Sequence, residues 1–297
     1  MTPPTPPSKN TISNSQQIKR VLWQVLGVNL LVAIAKIVVG TVTGSISMMA
    51  DGFHSTMDGS SNVIGLVGMA IAERPPDEDH PYGHQKYEAF ATLAIGLLLL
   101  LTTWNVLKST ITRLIEGGTP EVTIISFAVM FITIGLNWAV SRYESKQGHR
   151  LKSSILLADA AHTRSDIFVS LSVIVGLGAV KLGWLWVDAA VALIIVVVIG
   201  KVGWEIIRRA SNVLADSAVV DVAEVERIAL SVEGVKSCHK IRSRGTDHAT
   251  YLDLHIQVDS QMSLAIAHYL GHQVQDHLQE ELELTDVVVH VEPAEFS

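Results

Sequence analysis

Two nine-residue segments of the chain share one pattern: ADGFHSTMD at residues 50–58 and ADAAHTRSD at residues 158–166. Both fit A-D-x-x-H-[ST]-x-x-D, and both lie inside long apolar stretches. Spacings of three and four residues place the Asp and His side chains of each segment on one face of a helix. The pattern therefore predicts two apolar helices that each carry an ionisable stripe.

The apolar stretches around these segments predict a membrane domain. A transmembrane helix needs about 20 mostly apolar residues, and the chain is 48% hydrophobic but only 17% charged. The stretches lie at residues 21–43, 46–72, 90–107, 122–140, 156–180 and 184–199. They predict six transmembrane helices, of which the second and the fifth carry the ionisable stripes.

Residues 210–297 differ in composition and predict a separate, water-soluble domain. They contain 5 Lys and Arg against 15 Asp and Glu, and no apolar stretch long enough to span a bilayer. Their hydrophobic periodicity follows the order α-β-β-α-β, which predicts a small sheet covered on one face by two helices. The acidic charge excludes nucleic acid as a partner. A domain of this size gains stability by packing against a second copy, so we expect a homodimer.

Domain boundaries and orientation follow from the same patterns. We expect a flexible cytoplasmic tail at residues 1–17, a six-helix transmembrane domain at 18–209 and a cytoplasmic metal-binding and dimerisation domain at 210–297. An even number of helices puts both termini on one side, and Lys and Arg concentrate in the loops of that side. The sequence therefore predicts a multi-pass membrane protein, in contact with lipid and with both termini in the cytoplasm.

The two stripes predict a metal site at membrane depth, where a carboxylate must face a polar cavity, pair or bind an ion. If the stripes face each other, they offer two imidazole nitrogens and two carboxylate oxygens, from His54, Asp58, His162 and Asp166. This set suits tetrahedral Zn²⁺ better than Mg²⁺ or Ca²⁺. Asp51 and Asp159, one turn nearer the helix start, are expected to hydrogen-bond the ligands or to pack the helices. A structural polar network between the two helices is the alternative.

On these residues the chain resembles the cation diffusion facilitator family, in which six transmembrane helices precede a metallochaperone-like cytoplasmic domain. His54 with Asp58 and His162 with Asp166 match the family's transport site position by position. The resemblance implies a homodimeric antiporter, not an enzyme, that exports a divalent metal from the cytosol in exchange for protons and needs no organic cofactor. His54 stands where some members have Asp, which favours Zn²⁺ over Mn²⁺ and leaves Fe²⁺, Co²⁺ and Cd²⁺ open. The chain has no long His-rich loop between helices 4 and 5, which favours a bacterial type and implies a place in the inner, cytoplasmic membrane.

The segment DEDHPYGHQK at residues 77–86 resembles the family's acidic, histidine-containing loop after helix 2. Asp77, His80 and His84 are its candidate metal ligands, and a solvated acidic turn is the alternative. Lys86 resembles a basic residue of the family that pairs with an acidic residue at the start of the soluble domain. Asp216 is the candidate partner. A lysine that merely follows the positive-inside rule is the alternative for Lys86.

Seven of the twelve histidines lie within residues 210–297. His239 and His255 fall on adjacent predicted strands, His290 and Glu292 alternate on the last strand, and His268 lies on the helix between them. These positions match the family's soluble-domain metal sites, which implies that Zn²⁺ is a regulatory ligand as well as the substrate. The single cysteine, in contrast, excludes an intramolecular disulfide and a Cys-rich zinc module.

Two other functions fit some of these features. An intramembrane zinc metallohydrolase would keep three protein ligands, an open water position and a nearby Glu, whereas this chain has four candidate ligands and no Glu in helices 2 and 5. A metal sensor would use the acidic domain alone and would leave the membrane site without a role. Metal uptake by proteoliposomes under a pH gradient separates the three functions.

Overall fold

The computed structural model describes the backbone of residues 9–43, 46–116, 124–181, 185–246 and 249–294. The chain divides into two compact units, Met1–Ser211 and Asn212–Ser297. The first unit is helical, and the second combines helices with a three-stranded sheet. The predicted fold class, a helical transmembrane domain followed by a small α/β domain, is confirmed.

Six long helices form the described part of the first unit. They are α1 (Lys9–Thr43), α2 (Ile46–Ala72), α3 (Lys86–Glu116), α4 (Ile124–Leu151), α5 (Ser154–Lys181) and α6 (Leu185–Leu214). Three described stretches are long and apolar enough to cross a bilayer: Asn14–Val42, Lys86–Thr112 and Ala190–Leu214. In α2 a shorter apolar stretch, Gly59–Ala72, follows the ionisable stripe.

The first helix begins earlier than the sequence pattern predicts. Its first residue is Lys9, so α1 includes half of the segment 1–17 that the composition predicts as a flexible tail. All four prolines of that segment lie at positions 3, 4, 6 and 7, and no helix breaker follows them. Once Ile18 and Leu22 are buried in the core, the helix propagates backwards through the polar residues at little cost.

The apolar core of the first unit joins five helices. Its fully buried or nearly buried members include Ile18, Leu22, Met69, Ile95, Val140, Ile155 and Leu156. A Cβ added to Gly68 of α2 would lie 2.3 Å from the Cβ of Ala91 on α3, so these helices approach each other as closely as small residues permit. Large apolar side chains such as Leu31, Trp104 and Val197 are exposed, as a lipid-facing surface requires.

The second unit contains α7 (Val222–Ser231), β1 (Ser237–Thr246), β2 (Ala249–Val258), α8 (Leu264–Leu282) and β3 (Asp286–Pro293). The strand order is β1-β2-β3, with β1 antiparallel and β3 parallel to β2. Along β2, Leu252, Leu254 and Ile256 are buried in a core with both helices, while the residues between them are half-exposed. One face of the sheet is therefore covered and the other carries polar side chains, which matches the predicted α-β-β-α-β order.

Candidate metal transport site and secondary metal sites

A polar cavity of about 400 Å³ lies within the first unit and is lined by residues of all six helices. Its polar lining includes Asn29, Lys36, Ser55, Thr102, Asn105, Asn137, His162, Thr163, Asp166 and Ser170. Amides and hydroxyls are rare inside an apolar helix bundle unless they line a hydrated path or bind a ligand. The cavity is therefore a place where an ion can be held within the described part of this unit.

Two of the predicted transport ligands lie in this cavity. His162 and Asp166 are one turn apart on α5, and both line it. His162 is 6% exposed, and its Nδ1 has no hydrogen-bond partner among the described residues. A buried imidazole nitrogen without a partner is costly unless something else binds it, so His162 is able to act as a metal ligand.

The other half of the predicted set lies on α2. The backbone of Asp51, His54 and Asp58 is helical, but their side chains lie outside the described part of the structure. Ser55, which follows His54 directly, lines the same cavity as His162 and Asp166. This turn of α2 therefore reaches the cavity, and the four-ligand set stays a prediction.

Asp159 lies in a buried hydrogen-bond network that joins α1, α2 and α5. Its carboxylate accepts a hydrogen bond from Ser61 Oγ at 2.6 Å and a second one from the Asn62 side-chain amide. Asn62 in turn accepts from Asn29 Nδ2 at 3.0 Å. Of the two roles expected for Asp159, packing of the helices is the one these contacts describe.

Glu144 belongs to the same network, and the sequence patterns missed it. It is fully buried on α4, accepts a hydrogen bond from Thr163 Oγ1 at 3.3 Å and meets the carboxyl group of Asp159. Glu144 lies four residues beyond the apolar stretch 122–140, where a charged residue is ordinarily taken as solvated. Only the position of α5 against α4 shows that it is enclosed.

Lys36 is a second residue whose place the sequence patterns did not predict. Its side chain is buried, and Nζ donates a hydrogen bond to Ser55 Oγ at 2.8 Å across the interface of α1 and α2. One signal was available, because Lys36 is the only charged residue in the stretch 21–43. A lone charge inside a transmembrane stretch marks a functional candidate.

The loop after α2 brings its three predicted ligands together. Ligand atoms of Asp77, His80 and His84 lie within 4.8 Å of one another. Asp77 Oδ1 lies 3.1 Å from His80 Nδ1, and Asp77 Oδ2 lies 3.4 Å from His84 Nε2. Desolvation acts to raise the pKa of Asp77, but the His80 backbone N–H and the two imidazoles hold that pKa below its usual range. The group has the donors that a divalent cation needs, although Asp77 and His80 face solvent.

The sheet of the second unit aligns three of the predicted histidines. His239 of β1 lies opposite His255 of β2, which in turn lies opposite His290 of β3. The ring centroids are 5.5 Å apart for the first pair and 4.6 Å apart for the second. The register between strands therefore places these side chains in a row on the half-exposed face of the sheet.

Glu292 completes this cluster from the next outward-facing position of β3. Its carboxylate oxygens lie 2.7 Å from His255 Nδ1 and 3.1 Å from His239 Nε2. The hydrogen bond from His255 is the main cause that lowers the pKa of Glu292, and Lys240 contributes through its charge. His239, His255 and Glu292 form a potential three-ligand metal group, while His290 is 61% exposed at its edge.

The remaining predicted residues lie elsewhere in the structure. His268 is on α8, where its Nε2 lies 3.2 Å from Nε2 of His272, and it is outside the group formed with Glu292. Lys86 is the first residue of α3, in the first unit. Asp216 follows α6 in the second unit, with a φ of 55°. The pairing of Lys86 with Asp216 stays a prediction.

Similarity to known families shows what kind of protein carries these sites. The family model described as the cation efflux transmembrane domain matches residues 22–215, and the one described as the cation efflux protein cytoplasmic domain matches residues 219–294. This chain is a cation diffusion facilitator. The facilitator is consequently a multi-pass membrane protein that exports divalent metal cations. It is a transporter rather than an enzyme, so the alternative of an intramembrane metallohydrolase is wrong.

Individual relatives cover most of the facilitator. It is 33% identical to an uncharacterised transporter of Methanocaldococcus jannaschii, over 92% of this chain and 97% of the relative. It is 31% identical to metal tolerance protein C1 of Arabidopsis thaliana, over 88% of this chain and 59% of that longer relative. Manganese efflux system protein MneS of Bacillus subtilis is 28% identical, over 90% and 92% of the two chains. A solved MamM CTD is 23% identical, with a TM-score of 0.24, over 25% of this chain and 92% of that chain.

Proposed function

We propose that this facilitator exports Zn²⁺ from the cytosol in exchange for protons, through the polar cavity of the first unit. The observation that carries the proposal is His162, a buried imidazole with a nitrogen lacking a hydrogen-bond partner among the described residues, one turn from Asp166 in that cavity. With His54 and Asp58 from α2, these side chains supply the two nitrogens and two oxygens of a tetrahedral zinc shell.

Proton exchange follows from the chemistry of such ligands. Imidazole and carboxylate groups must lose their protons before they bind a metal ion. One site then holds either the metal or protons and resists holding both, so the two fluxes are coupled by competition. A pH difference across the membrane drives metal toward the more acidic side.

Mn²⁺ is the second candidate substrate, and two observations favour it. The relatives MneS and MneP of Bacillus subtilis, 28% and 27% identical, are named manganese efflux system proteins. The cavity around His162 also offers many neutral oxygen atoms, from Asn29, Asn137 and several hydroxyls. Oxygen ligands suit the harder Mn²⁺, whereas the two histidines of the predicted set favour Zn²⁺. Fe²⁺, Co²⁺ and Cd²⁺ are further substrates to be compared.

The proposal extends to the assembly and to the secondary sites. The facilitator is a homodimer of the inner membrane with cytoplasmic termini, paired through its second unit. The sheet cluster of His239, His255 and Glu292 binds cytosolic metal and regulates transport, and the loop group with His84 delivers metal or supports assembly. These roles agree with ligand atoms that already converge in both groups.

Reconstitution tests the transport proposal directly. Purified facilitator in proteoliposomes should take up Zn²⁺ when the lumen is made acidic, and a protonophore should abolish this uptake. Competition by Mn²⁺, Fe²⁺, Co²⁺ and Cd²⁺ in the same assay ranks the substrates. Uptake that ignores both the pH gradient and the protonophore would contradict proton exchange and indicate a uniporter.

A further inference from the structure

Lys36 is a buried cationic side chain in the transport cavity of the facilitator. It is 6% exposed on α1, and its Nζ donates to Ser55 Oγ of α2 at 2.8 Å. Lys36 lines the same cavity as His162 and Asp166. An ammonium group of the chain therefore shares one polar space with two of the predicted metal ligands.

The inward direction of Lys36 is informative because lysine has another option in a membrane helix. Its flexible stem usually runs along the helix and places the ammonium at the lipid–water interface. Lys36 instead holds its ammonium against a neighbouring helix, next to the turn of α2 that carries His54 and Asp58. This position gives the ammonium a protein partner in place of interfacial water.

Electrostatics gives this position a consequence for the transported ion. When the cavity holds no metal, carboxylates that line it, such as Asp166, attract the ammonium of Lys36 in the same cavity, which stabilises the metal-free state. When a divalent cation is bound, the same ammonium repels it, and water in a narrow cavity screens that repulsion weakly. Lys36 therefore lowers the affinity of the cavity for a divalent cation.

A transporter benefits from such weakening, because an ion must bind well enough to enter and weakly enough to leave. We propose that Lys36 is the resident counter-cation of the transport cavity: it compensates carboxylate charge after the metal leaves and keeps metal affinity low enough for rapid release. This role rests on the proposed transport function, because it requires that the cavity binds and releases the metal.

The first experiment compares Lys36→Gln with the wild-type facilitator. Loss of the ammonium should lower the dissociation constant for Zn²⁺ at the Asp166-dependent site by roughly tenfold or more, and should lower the maximal uptake rate because release becomes slower. Lys36→Arg keeps the charge and should stay near the wild type in both measurements. Lys108→Gln removes an exposed lysine of α3 and is the matched control, with no change expected.

The dissociation constants are measured on the detergent-purified full chain, with Asp166→Ala used to subtract binding at the loop and at the sheet. If the wild type binds Zn²⁺ at the Asp166-dependent site but transports none, the transport function fails. The dissociation constants of the wild type and of Lys36→Gln then still show whether Lys36 affects binding. The two failures are therefore distinguishable.

A charge-rescue experiment covers the case in which Lys36→Gln does not fold. Cys238 is the only cysteine of the chain, so Lys36→Cys in a Cys238→Ser background can be labelled selectively. An aminoethyl methanethiosulfonate reagent, which adds an ammonium, should restore the wild-type dissociation constant and uptake rate. A methyl methanethiosulfonate reagent, which adds no charge, should not.

Several results would overturn the role of Lys36. Unchanged affinity and uptake in Lys36→Gln would show that the charge does not act on the metal. Weaker binding of Zn²⁺ in that variant would show that Lys36 supports the ligands instead of opposing the metal. Equal rescue by both reagents, or loss of folding in both the Gln and the Cys variant, would assign Lys36 a structural role.

Discussion

At the residue scale, chemically identical side chains of this protein lie in different surroundings. Asp159 accepts hydrogen bonds from two neutral side chains of α2 and has no cavity-lining role, whereas Asp166 lines the polar cavity on the same helix. Asp159 is hydrogen-bonded to a neighbouring helix, and Asp166 borders a space that can hold an ion. Identical side chains seven residues apart therefore have different neighbours.

Substitution of Asp166 tests the transport site. Asp166→Ala should reduce Zn²⁺ uptake by proteoliposomes by more than about 100-fold, because an incomplete ligand shell cannot replace the water lost by the ion. Arg164→Ala, at an exposed position of the same helix, is the control and should transport normally. Wild-type uptake by a correctly inserted Asp166→Ala would remove Asp166 from the path of the metal.

The reactivity of the Cys238 thiol tests whether β1 is buried. Burial, with a smaller contribution from Glu226, raises the pKa of this thiol to about 11. Thiolate is the reactive form, so at pH 8 the folded protein should react with a disulfide reagent on the order of 100-fold more slowly than the unfolded chain. Rates are measured by absorbance with and without denaturant. A fast reaction in the native protein would mean that β1 is open to solvent.

At the element scale, local patterns account for the kinds of helices and strands, and packing accounts for their ends. The alternation in β2 and the helical period in α8 are properties of neighbouring residues, so both elements could be predicted. The start of α1 at Lys9 depends on how the buried residues Ile18 and Leu22 anchor the helix. Anchoring is a tertiary effect, and the composition of the first residues alone predicts a tail.

The turn between β2 and α8 provides a pH-dependent prediction. The backbone N–H of Gln261 and then the ammonium of Lys236 lower the pKa of Asp259. A carboxyl group whose pKa is lowered in the folded protein stabilises the fold when the pH is above its pKa in the unfolded chain, near 4. This stabilisation is lost as the pH falls through the pKa of the folded protein. Asp259→Asn should therefore lower the melting temperature at pH 7, and the difference from the wild type should shrink below about pH 4.

Thermal unfolding of residues 210–297 at several pH values measures this difference, since the core of the second unit is formed within it. Lys236→Gln should produce a smaller change in the same direction, because it removes only the second of the two causes. A difference for Asp259→Asn that is constant with pH would contradict the assigned role of the charge.

At the scale of the whole molecule, the second unit carries its own candidate metal group, formed by His239, His255 and Glu292. His255→Ala combined with His239→Ala should weaken the rise in melting temperature that Zn²⁺ causes in residues 210–297. Ligand binding at 100 times the dissociation constant is worth about 2.7 kcal/mol, and the double variant should lose most of it. His277→Ala, at an exposed position of α8, is the control.

The same double variant tests regulation in the full-length facilitator. On the proposed regulation, metal stabilises one arrangement of paired second units. Uptake by the double variant should therefore fall at low Zn²⁺ and should return to the wild-type maximum at saturating Zn²⁺. Complete loss of uptake at saturating metal in a folded protein would place His239 and His255 on the transport path.

Features that depend on neighbouring residues could be predicted from the sequence. Six apolar stretches, the two A-D-x-x-H-[ST]-x-x-D segments and the α-β-β-α-β order are periodic patterns within one element or a short series of elements. They were sufficient for the fold class and for the family. The candidate groups at the loop and at the sheet could also be named, because ligand-type residues are concentrated there.

Contacts between segments that are distant in sequence determine which of these residues meet. The register of three strands puts Glu292 between His239 and His255. The rotation and packing of α1 and α4 bury Lys36 and Glu144. The lone charge of Lys36 in an apolar stretch was a signal in the sequence, whereas Glu144 beyond its stretch resembles a solvated charge. Register and helix rotation are set by contacts between distant segments, and for this reason no local period encodes them.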